Sequence, residues 1–324
     1  MAKDYIYEVA RIRVKEGSLL TRAQLKQLIA LPDIRSALAQ LADWGWGNPD
    51  EPLEAERMLA AESAKTWELI DELLRDDDSL SLLKLTRDYQ NIKAAIKQIY
   101  TNTKLPPERL YVSGGRIAAE EIRRAIREQD YEIFPEAMAA AAREAAELLA
   151  ETGDGQLCDA VLDKAALTEL IREGKEAKDP ALQEYAALTA AQANVMIALR
   201  AAAGGKNREE ILNMLAPDGE LNIHTLAQAA MEGREAVADY LRFTQYSSLS
   251  DSLMESMVSF ERSCEDLLLS RMREQKSEVF TIGPLVAYVV VRQNEIKSVR
   301  MLLTEKQNHL PESVMRERLR EMYV

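Results

Sequence analysis

The sequence predicts an all-α fold built from three similar helical domains. Glycine (13 residues) and proline (10 residues) are scarce in the 324 residues, whereas alanine and leucine are abundant, a composition that favours helix. A glycine-containing landmark also occurs three times, 98 and 104 residues apart, at Gly17-Ser-Leu19, Gly115-Arg-Ile117 and Gly219-Glu-Leu221. This period is the length of a small domain, so we expect one helical unit copied twice and joined head to tail.

An apolar helical stretch follows each landmark after a similar interval. It lies around Asn91-Ile92, Asn194-Val195 and Ser298-Val299, which places it 74, 79 and 79 residues after the glycine. Turn-like residues at Val112–Gly115 and Ala216–Gly219 separate the copies. The predicted domains are therefore residues 1–113, 114–217 and 218–324. No linker is long or of low complexity, so we expect the copies to pack against one another.

Helix-start signals support this order of elements. Thr21 and Gln24 form a capping-box pattern, and Asp33 is placed to cap the next helix. Asp179-Pro180 combines a cap with a proline at the first helical position, where the missing amide costs nothing. Similar starts are predicted near the end of each copy, at Leu105-Pro-Pro-Glu108, Asn207-Arg-Glu-Glu210 and Leu310-Pro-Glu312.

Three helices carry apolar stripes that we expect in the core. Their members are Leu85, Tyr89, Ile92, Ile96 and Ile99; Leu188, Val195, Leu199 and Ala202; and Ile296, Val299, Leu302 and Leu303. The β-branched run Val286–Val291 is the segment most typical of a strand. We find no second strand to pair with it, and we therefore predict a buried helix.

Charge and cysteine content limit the partners and the compartment. The net charge of −13 disfavours nucleic acid as a partner. Acids dominate residues 50–78 and bases dominate residues 292–320; each stretch is either a solvated face or a docking surface of complementary charge. Two cysteines indicate a reducing compartment. No signal-like leader opens the sequence, and the longest apolar run has seven residues, short of the ~20 that span a bilayer. We expect a cytosolic protein, or one held at a membrane by its partners.

Candidate catalytic and metal-binding residues form no recognisable site. Gly204-Gly-Lys206 lacks the spacing of a phosphate-binding loop and is better interpreted as a helix-ending turn. His224 and His309 each follow a glutamate by four residues, which does not match the Glu-x-x-His pairs of a di-iron bundle. Cys158 and Cys264 are expected to be buried as small apolar residues. The sequence predicts no catalytic residue, no metal and no cofactor.

The order of several motifs resembles one known family. The first copy has Asp88-Tyr-Gln-Asn91-Ile92-Lys93, the second Ala191-Gln-Ala-Asn194-Val195-Met196, and the third Glu295-Ile-Lys-Ser298-Val299-Arg300. The remaining motifs are Tyr7-Glu-Val-Ala-Arg11 and Gly17-Ser-Leu-Leu20 at the start, and Gly283-Pro-Leu-Val-Ala-Tyr288, Leu310-Pro-Glu312, Arg316-x-Arg318-Leu319 and Tyr323 at the end. This pattern is similar to that of the C subunit of bacterial and archaeal rotary A/V-type ATPases, the counterpart of the d subunit of the eukaryotic vacuolar enzyme. That family carries an acid, two residues, asparagine, an aliphatic residue and a base once per copy; the second copy here lacks both charges.

The resemblance implies both a fold and a function. It implies three helical domains in a pseudo-threefold, funnel-shaped arrangement. It also implies a non-catalytic rotor subunit on the cytoplasmic side of the membrane, where partner subunits hold it. That subunit would link the central stalk to the membrane rotor ring and transmit torque for ATP-coupled H⁺ or Na⁺ transport. Two alternatives stay open: a generic helical scaffold unrelated to ion transport, and a helical enzyme with a hydrophilic pocket.

The resemblance also suggests interface residues. We expect the motif-bearing helices to offer polar contacts to the foot of the stalk from Asp88, Asn91, Lys93, Asn194, Arg200, Glu295 and Arg300. The same side chains could instead pair helices within the chain, and the sequence leaves both interpretations open.

Overall fold

The computed structural model describes residues 4–75, 77–101, 110–217, 219–319 and 321–323. These residues form α-helices, short 3₁₀ turns and loops, with no β-strand among them, so the all-α prediction is confirmed. The chain folds into two compact units, one formed by Met1–Ser79 with Glu265–Val324 and the other by Leu80–Cys264. The first unit therefore joins the two ends of the chain.

The described helices, in chain order, are α1 (Ile6–Glu16), α2 (Arg22–Ala30), α3 (Ile34–Asp43), α4 (Ala55–Leu74), α5 (Leu85–Tyr100), α6 (Ala119–Glu128), α7 (Glu136–Thr152), α8 (Gly155–Glu176), α9 (Pro180–Ala203), α10 (Arg208–Met214), α11 (Ile223–Glu232), α12 (Arg234–Arg242), α13 (Ser250–Glu255), α14 (Met257–Glu274), α15 (Gly283–Gln307) and α16 (Glu312–Glu317). We call α5, α9 and α15 the motif helices. In each predicted domain, the motif helix follows directly after a long helix (α4, α8 or α14).

Most of the predicted helix starts are confirmed. Thr21 Oγ1 accepts a hydrogen bond from Gln24 N at 3.2 Å, while Gln24 Oε1 accepts one from Thr21 N at 2.9 Å. Asp33 caps α3 through Ser36 N, and Asn207 forms a capping box with Glu210. Caps of this kind satisfy backbone amides that have no partner inside the helix. The other predicted starts also occur: α9 follows Asp179, and α16 begins after Pro311. The predicted start at Leu105–Glu108 lies outside the described residues.

The core of the first unit is built from both ends of the chain. Apolar side chains of α2, α3 and α4 pack against the stripe of α15 and against the C-terminal residues. The members of this cluster include Leu20, Leu25, Leu28, Leu41, Trp46, Met58, Leu59, Ile296, Val299, Leu302, Leu303, Met315 and Met322. A side chain buried in this way contributes about 1.5–3 kcal/mol relative to an exposed one. Neither end of the chain can bury these faces alone.

The second unit contains the other two motif helices. α5 packs against α6, α7 and α8, and α9 packs against α8, α10 and α11. The predicted stripe residues Leu85, Tyr89, Ile92 and Ile96 are buried, whereas Ile99 is partly exposed. Both cysteines are buried, as expected from the sequence.

Two of the described helices, α15 and α9, contain long apolar segments. The run Val286–Val291 forms part of α15 and is fully buried, so the helix prediction is confirmed over the strand. Among the described helices, α9 is long and apolar enough, by length and composition alone, to cross a bilayer. However, 56% of its apolar window is buried inside the fold, and a core helix passes the same test. The length and composition of α9 therefore do not make it a membrane span.

A buried charge cluster joins α15 to α4 inside the first unit. Arg292 Nη2 donates to Glu62 Oε2 at 2.5 Å, and Arg292 also pairs with Glu295 on its own helix. The guanidinium lies 5.3 Å from the centre of the Trp46 ring. Glu62 further accepts from Gly47 N at 2.9 Å and from Lys65 at 2.6 Å. Burial of the cluster raises the pKa of Glu295, and the neighbouring Arg292 opposes that rise.

Replacement of this arginine should destabilise the fold strongly. Arg292→Met leaves Glu295 without a cation and Glu62 with only the half-exposed Lys65, so we expect the free energy of unfolding to fall by about 3–5 kcal/mol. Urea denaturation measures this change. The control is Arg300→Met, whose ion pair with Glu56 is exposed and whose loss should cost less than about 1 kcal/mol. Equal losses in the two variants would contradict the role given to Arg292.

Candidate functional site

The structure divides the seven predicted interface residues into two groups. Asp88, Asn91, Asn194 and Glu295 are at most 1% exposed and bond within the chain. Lys93, Arg200 and Arg300 reach the surface, with side chains 20%, 68% and 50% exposed. All seven also have partners inside the chain, which is the arrangement expected if these side chains pair helices within the chain. An interface role stays a prediction for the three that reach the surface.

The two motif asparagines make the same pair of hydrogen bonds. Asn91 Nδ2 donates to Val112 O at 3.0 Å, and Asn91 Oδ1 accepts from Val112 N at 2.8 Å. Asn194 repeats both bonds with Ala216 at 3.0 Å. Val112 and Ala216 each lie three residues before a landmark glycine. We call the segments that carry the three glycines the landmark loops (residues 17–20, 115–117 and 219–221). The asparagines therefore hold the chain at equivalent points just before the second and third of these loops.

Asp88 binds the second landmark loop directly. Its Oδ1 accepts from Arg116 N at 2.8 Å and from Ile117 N at 3.2 Å, whereas Oδ2 has no partner among the described residues. A Cβ atom at Gly115 would lie 2.3 Å from Asp88 Oδ1. This landmark glycine is required because the carboxylate approaches the loop backbone so closely.

Glu295 does the same for the first landmark loop. Its Oε1 accepts from the backbone amide of Leu20, and its Oε2 pairs with Arg292. Ser298, which stands where the other copies have asparagine, instead donates to Asn294 O of its own helix at 2.8 Å. The acid of the third motif helix therefore holds the beginning of the chain.

Ala191 leaves the third landmark loop without such an acid. It occupies the position of Asp88 and Glu295 in the motif and has no side-chain acceptor to offer. Among the described residues, a Cβ atom at Gly219 would meet Ile171 Cδ1 alone, at 3.4 Å. Asn194 is therefore the motif side chain that bonds this part of the chain.

The three exposed basic residues also connect a motif helix to the next predicted domain. Lys93 on α5 pairs with Asp163 on α8. Arg200 on α9 lies 3.5 Å from Glu261 on α14, and Arg300 on α15 lies 3.2 Å from Glu56 on α4. The first pair joins the first and second predicted domains, and the second pair joins the second and third. The third pair joins the third and first.

Other contacts of this kind were missed in the sequence. Lys97 pairs with Asp159 at 2.6 Å, and it stands six residues after Asn91, just as Arg200 stands six after Asn194. That shared offset is a signal that could have revealed it. Within the second predicted domain, Arg116 forms a two-bond pair with Glu173, and no sequence pattern marks this partner.

The described residues offer little that could support catalysis. No three His, Cys, Asp or Glu side chains among them lie close enough to hold a metal ion. A groove of about 440 Å³ is lined by the loop between α3 and α4 and by Met58 on α4, and none of the seven predicted residues faces it. Gly204 and Gly205 end α9, and Gly205 has a positive φ of 79°, which confirms the helix-ending turn. The notable chemistry of these residues is the binding of loop amides by buried side chains.

A matched pair of glycine substitutions tests that chemistry. Gly115→Ala should lower the free energy of unfolding by about 1–3 kcal/mol, because Asp88 is buried and bonded and cannot move away from the new methyl group. Gly219→Ala should change it by less than about 1 kcal/mol, because the methyl group would make an ordinary contact. Urea denaturation of both variants provides the measurement. Similar losses at the two positions would show that the carboxylate does not restrict the loop.

The same carboxyl group should make stability depend on pH. Burial raises the pKa of Asp88 to about 6, although the amides of Arg116 and Ile117 oppose that rise. An unfolded aspartate has a pKa near 3.9, so between about pH 4 and pH 6 the folded state binds the extra proton. The stability that protonated Asp88 provides is complete below pH 4 and is lost as pH rises to 6, by up to about 1.4 kcal/mol per pH unit.

Asp88→Asn isolates this effect, because asparagine does not titrate. We expect the difference in unfolding free energy between the original chain and the variant to fall from pH 4 to pH 6 and to stay flat above it. Urea denaturation across this range measures the difference. Parallel stability curves would contradict the raised pKa.

Comparison with known proteins places this arrangement in a family. The ATP synthase (C/AC39) subunit family matches residues 9–318. The C subunit of the V-type sodium ATPase of Enterococcus hirae is 24% identical, with 96% of this chain and 97% of the relative aligned. The C subunit of the V-type ATP synthase of Thermus thermophilus is 26% identical, with 98% of each chain aligned. The C subunit of the A-type ATP synthase of Methanothermobacter thermautotrophicus is 26% identical, with 97% of this chain and 87% of the relative aligned. Because the match extends over nearly the whole chain, this protein belongs to the ATP synthase (C/AC39) subunit family.

Proposed function

We propose that this protein is a non-catalytic central-rotor adaptor of a rotary V/A-type ATPase. It links the central stalk to the membrane rotor ring and transmits torque for ATP-coupled H⁺ or Na⁺ transport. These partner subunits hold it on the cytoplasmic side of the membrane. Family membership supports the proposal, as do the names of its relatives, which are C subunits of V-type and A-type enzymes.

One observation carries the proposal: the contacts between predicted domains follow a cyclic order. Asp88 of the first domain binds the loop that opens the second, and Arg200 of the second pairs with Glu261 of the third. Glu295 of the third binds the loop that opens the first. A cyclic order of head-to-tail contacts is what three similar domains (1–113, 114–217 and 218–324) around a pseudo-threefold axis require. A funnel of three domains around an axis suits a part that receives a stalk.

Transmission of torque also requires stiffness, and the packing is consistent with it. Each motif helix packs against helices of the domain that follows it. The contact between the third and first domains contains the buried Arg292 cluster. Close-packed interiors have low compressibility and transmit strain. A load at the contact made by Asp88 or Glu295 would therefore pass to the domain that follows it.

Two other functions have less support. An enzyme would need a hydrophilic pocket lined by acids of shifted pKa, yet Asp88 lines neither the groove beside α4 nor the small cavity beside Ala191. A generic helical scaffold would have the same fold, and purification separates it from the rotor adaptor. A rotor subunit should co-purify with stalk and ring subunits, and a scaffold unrelated to ion transport should not.

Charge reversal with internal compensation tests the exposed residues. Lys93→Glu together with Arg300→Glu should weaken binding of the central stalk at least about tenfold, if these side chains contact it. Helical content should stay unchanged, because exposed ion pairs contribute less than about 1 kcal/mol each. The measurement is stalk binding by the purified chain, followed by coupling of ATP hydrolysis to ion flow in the reconstituted complex.

The control restores the pairs inside the chain with reversed charges. Adding Asp163→Lys and Glu56→Lys rebuilds both pairs, so any loss that reflects only the fold should disappear. Binding that remains weak in the four-residue variant identifies contacts with the stalk. Full recovery of binding would show that Lys93 and Arg300 act only within the chain.

A further inference from the structure

The three contacts between motif helix and landmark loop, which we call junctions, differ in their polar bonds. At the first junction, Asp88 accepts from two loop amides and Asn91 adds two more bonds. At the third junction, Glu295 accepts from Leu20 N and is itself paired with Arg292. Both of these loops are held by a buried carboxylate, which forms stronger hydrogen bonds than a neutral acceptor.

At the middle junction, between α9 and the loop at residues 219–221, no carboxylate of α9 accepts a hydrogen bond from the described loop amides. Ala191 stands at the position of the acid, so the motif side chain that bonds the chain here is Asn194. Leu221 is nevertheless as buried as Leu20 at the third junction, with 3% and 1% of each residue exposed. The two leucines therefore differ in their polar support and not in their burial.

Apolar side chains surround the middle junction. Ala191, Val195, Leu221 and Phe260 line a gap that has no room for a water molecule. Atoms facing such a gap lose dispersion contacts on that side.

The ion pair that crosses the middle junction is the longest of the three. Arg200 and Glu261 are 3.5 Å apart, and their side chains are 68% and 37% exposed. At the first junction, Lys93 and Asp163 are closer, and the Lys93 side chain is 20% exposed. At the third, Arg300 and Glu56 are 3.2 Å apart and similarly exposed, but Arg292 adds two buried pairs with Glu62 and Glu295. Exposed pairs are screened by solvent and contribute little.

We infer that the middle junction is the compliant element of this protein. It opens locally more often than the other two, and conformational change between the second and third predicted domains is concentrated there. Local opening frees amides where apolar contacts and hydrogen bonds are fewest. The junctions built around Asp88 and Glu295 stay closed under the same conditions.

Hydrogen exchange of the full chain, resolved by residue, tests the inference without any substitution. The amide of Leu221 should exchange at least about tenfold faster than those of Leu20 and Ile117, because a charge-assisted hydrogen bond is absent there. Exchange at Leu221 as slow as at Leu20 and Ile117 would overturn the inference.

Two variants test the cause in opposite directions. Ala191→Asp introduces the missing acceptor and should slow exchange at Leu221 at least about fivefold, while exchange at Leu20 stays the same. If that variant does not fold, Asp88→Ala gives the converse experiment. It should raise exchange at Ile117 at least about tenfold, and Leu20 again serves as the control. Unchanged exchange at Leu221 in a folded Ala191→Asp variant, or at Ile117 in Asp88→Ala, rejects the carboxylate as the cause.

Discussion

Buried loop amides that need an acceptor impose the constraint on which the rest of this structure depends. Two landmark loops turn beside a motif helix, where their backbone N–H groups bond to a buried carboxylate. An amide left without a partner there would cost as much as a lost hydrogen bond. Asp88 and Glu295 meet that need, and the close approach of Asp88 leaves no space for a side chain at Gly115. The acid and the glycine in these motifs are therefore two parts of one contact.

This contact explains why the compact units do not coincide with the sequence repeats. Each motif helix packs into the domain that follows it, so the unit boundaries fall before α5 and within α14, ahead of α15. The first unit contains both ends of the chain because α15 closes on α1, α3 and α4. The sequence period and the contacts therefore divide the chain at different residues.

The charged and polar side chains proposed for an interface all make contacts within the chain. Of the seven polar residues that resemblance assigned to an interface, four are buried and bonded, and the other three also have acids within reach. A rotor adaptor can accommodate both uses, since an exposed pair contributes little to stability and can exchange partners at low cost. Buried pairs such as Arg292 with Glu62 cannot be released in this way, because separation would leave charges out of water.

The sequence by itself determined the local structure. It predicted an all-α chain, the capped starts of α2, α3, α9 and α10, and the core stripes, because periodicity and capping depend on neighbours a few residues away. It also marked the recurring positions of Asp88, Asn194 and Glu295. It did not decide whether these side chains face a partner or the chain itself, since a polar residue on a helix gives no sign of what packs against it. Only the tertiary structure brought Glu295 to Leu20 and Arg292 to Glu62, residues more than 200 positions apart that meet because both ends of the chain bury one apolar core.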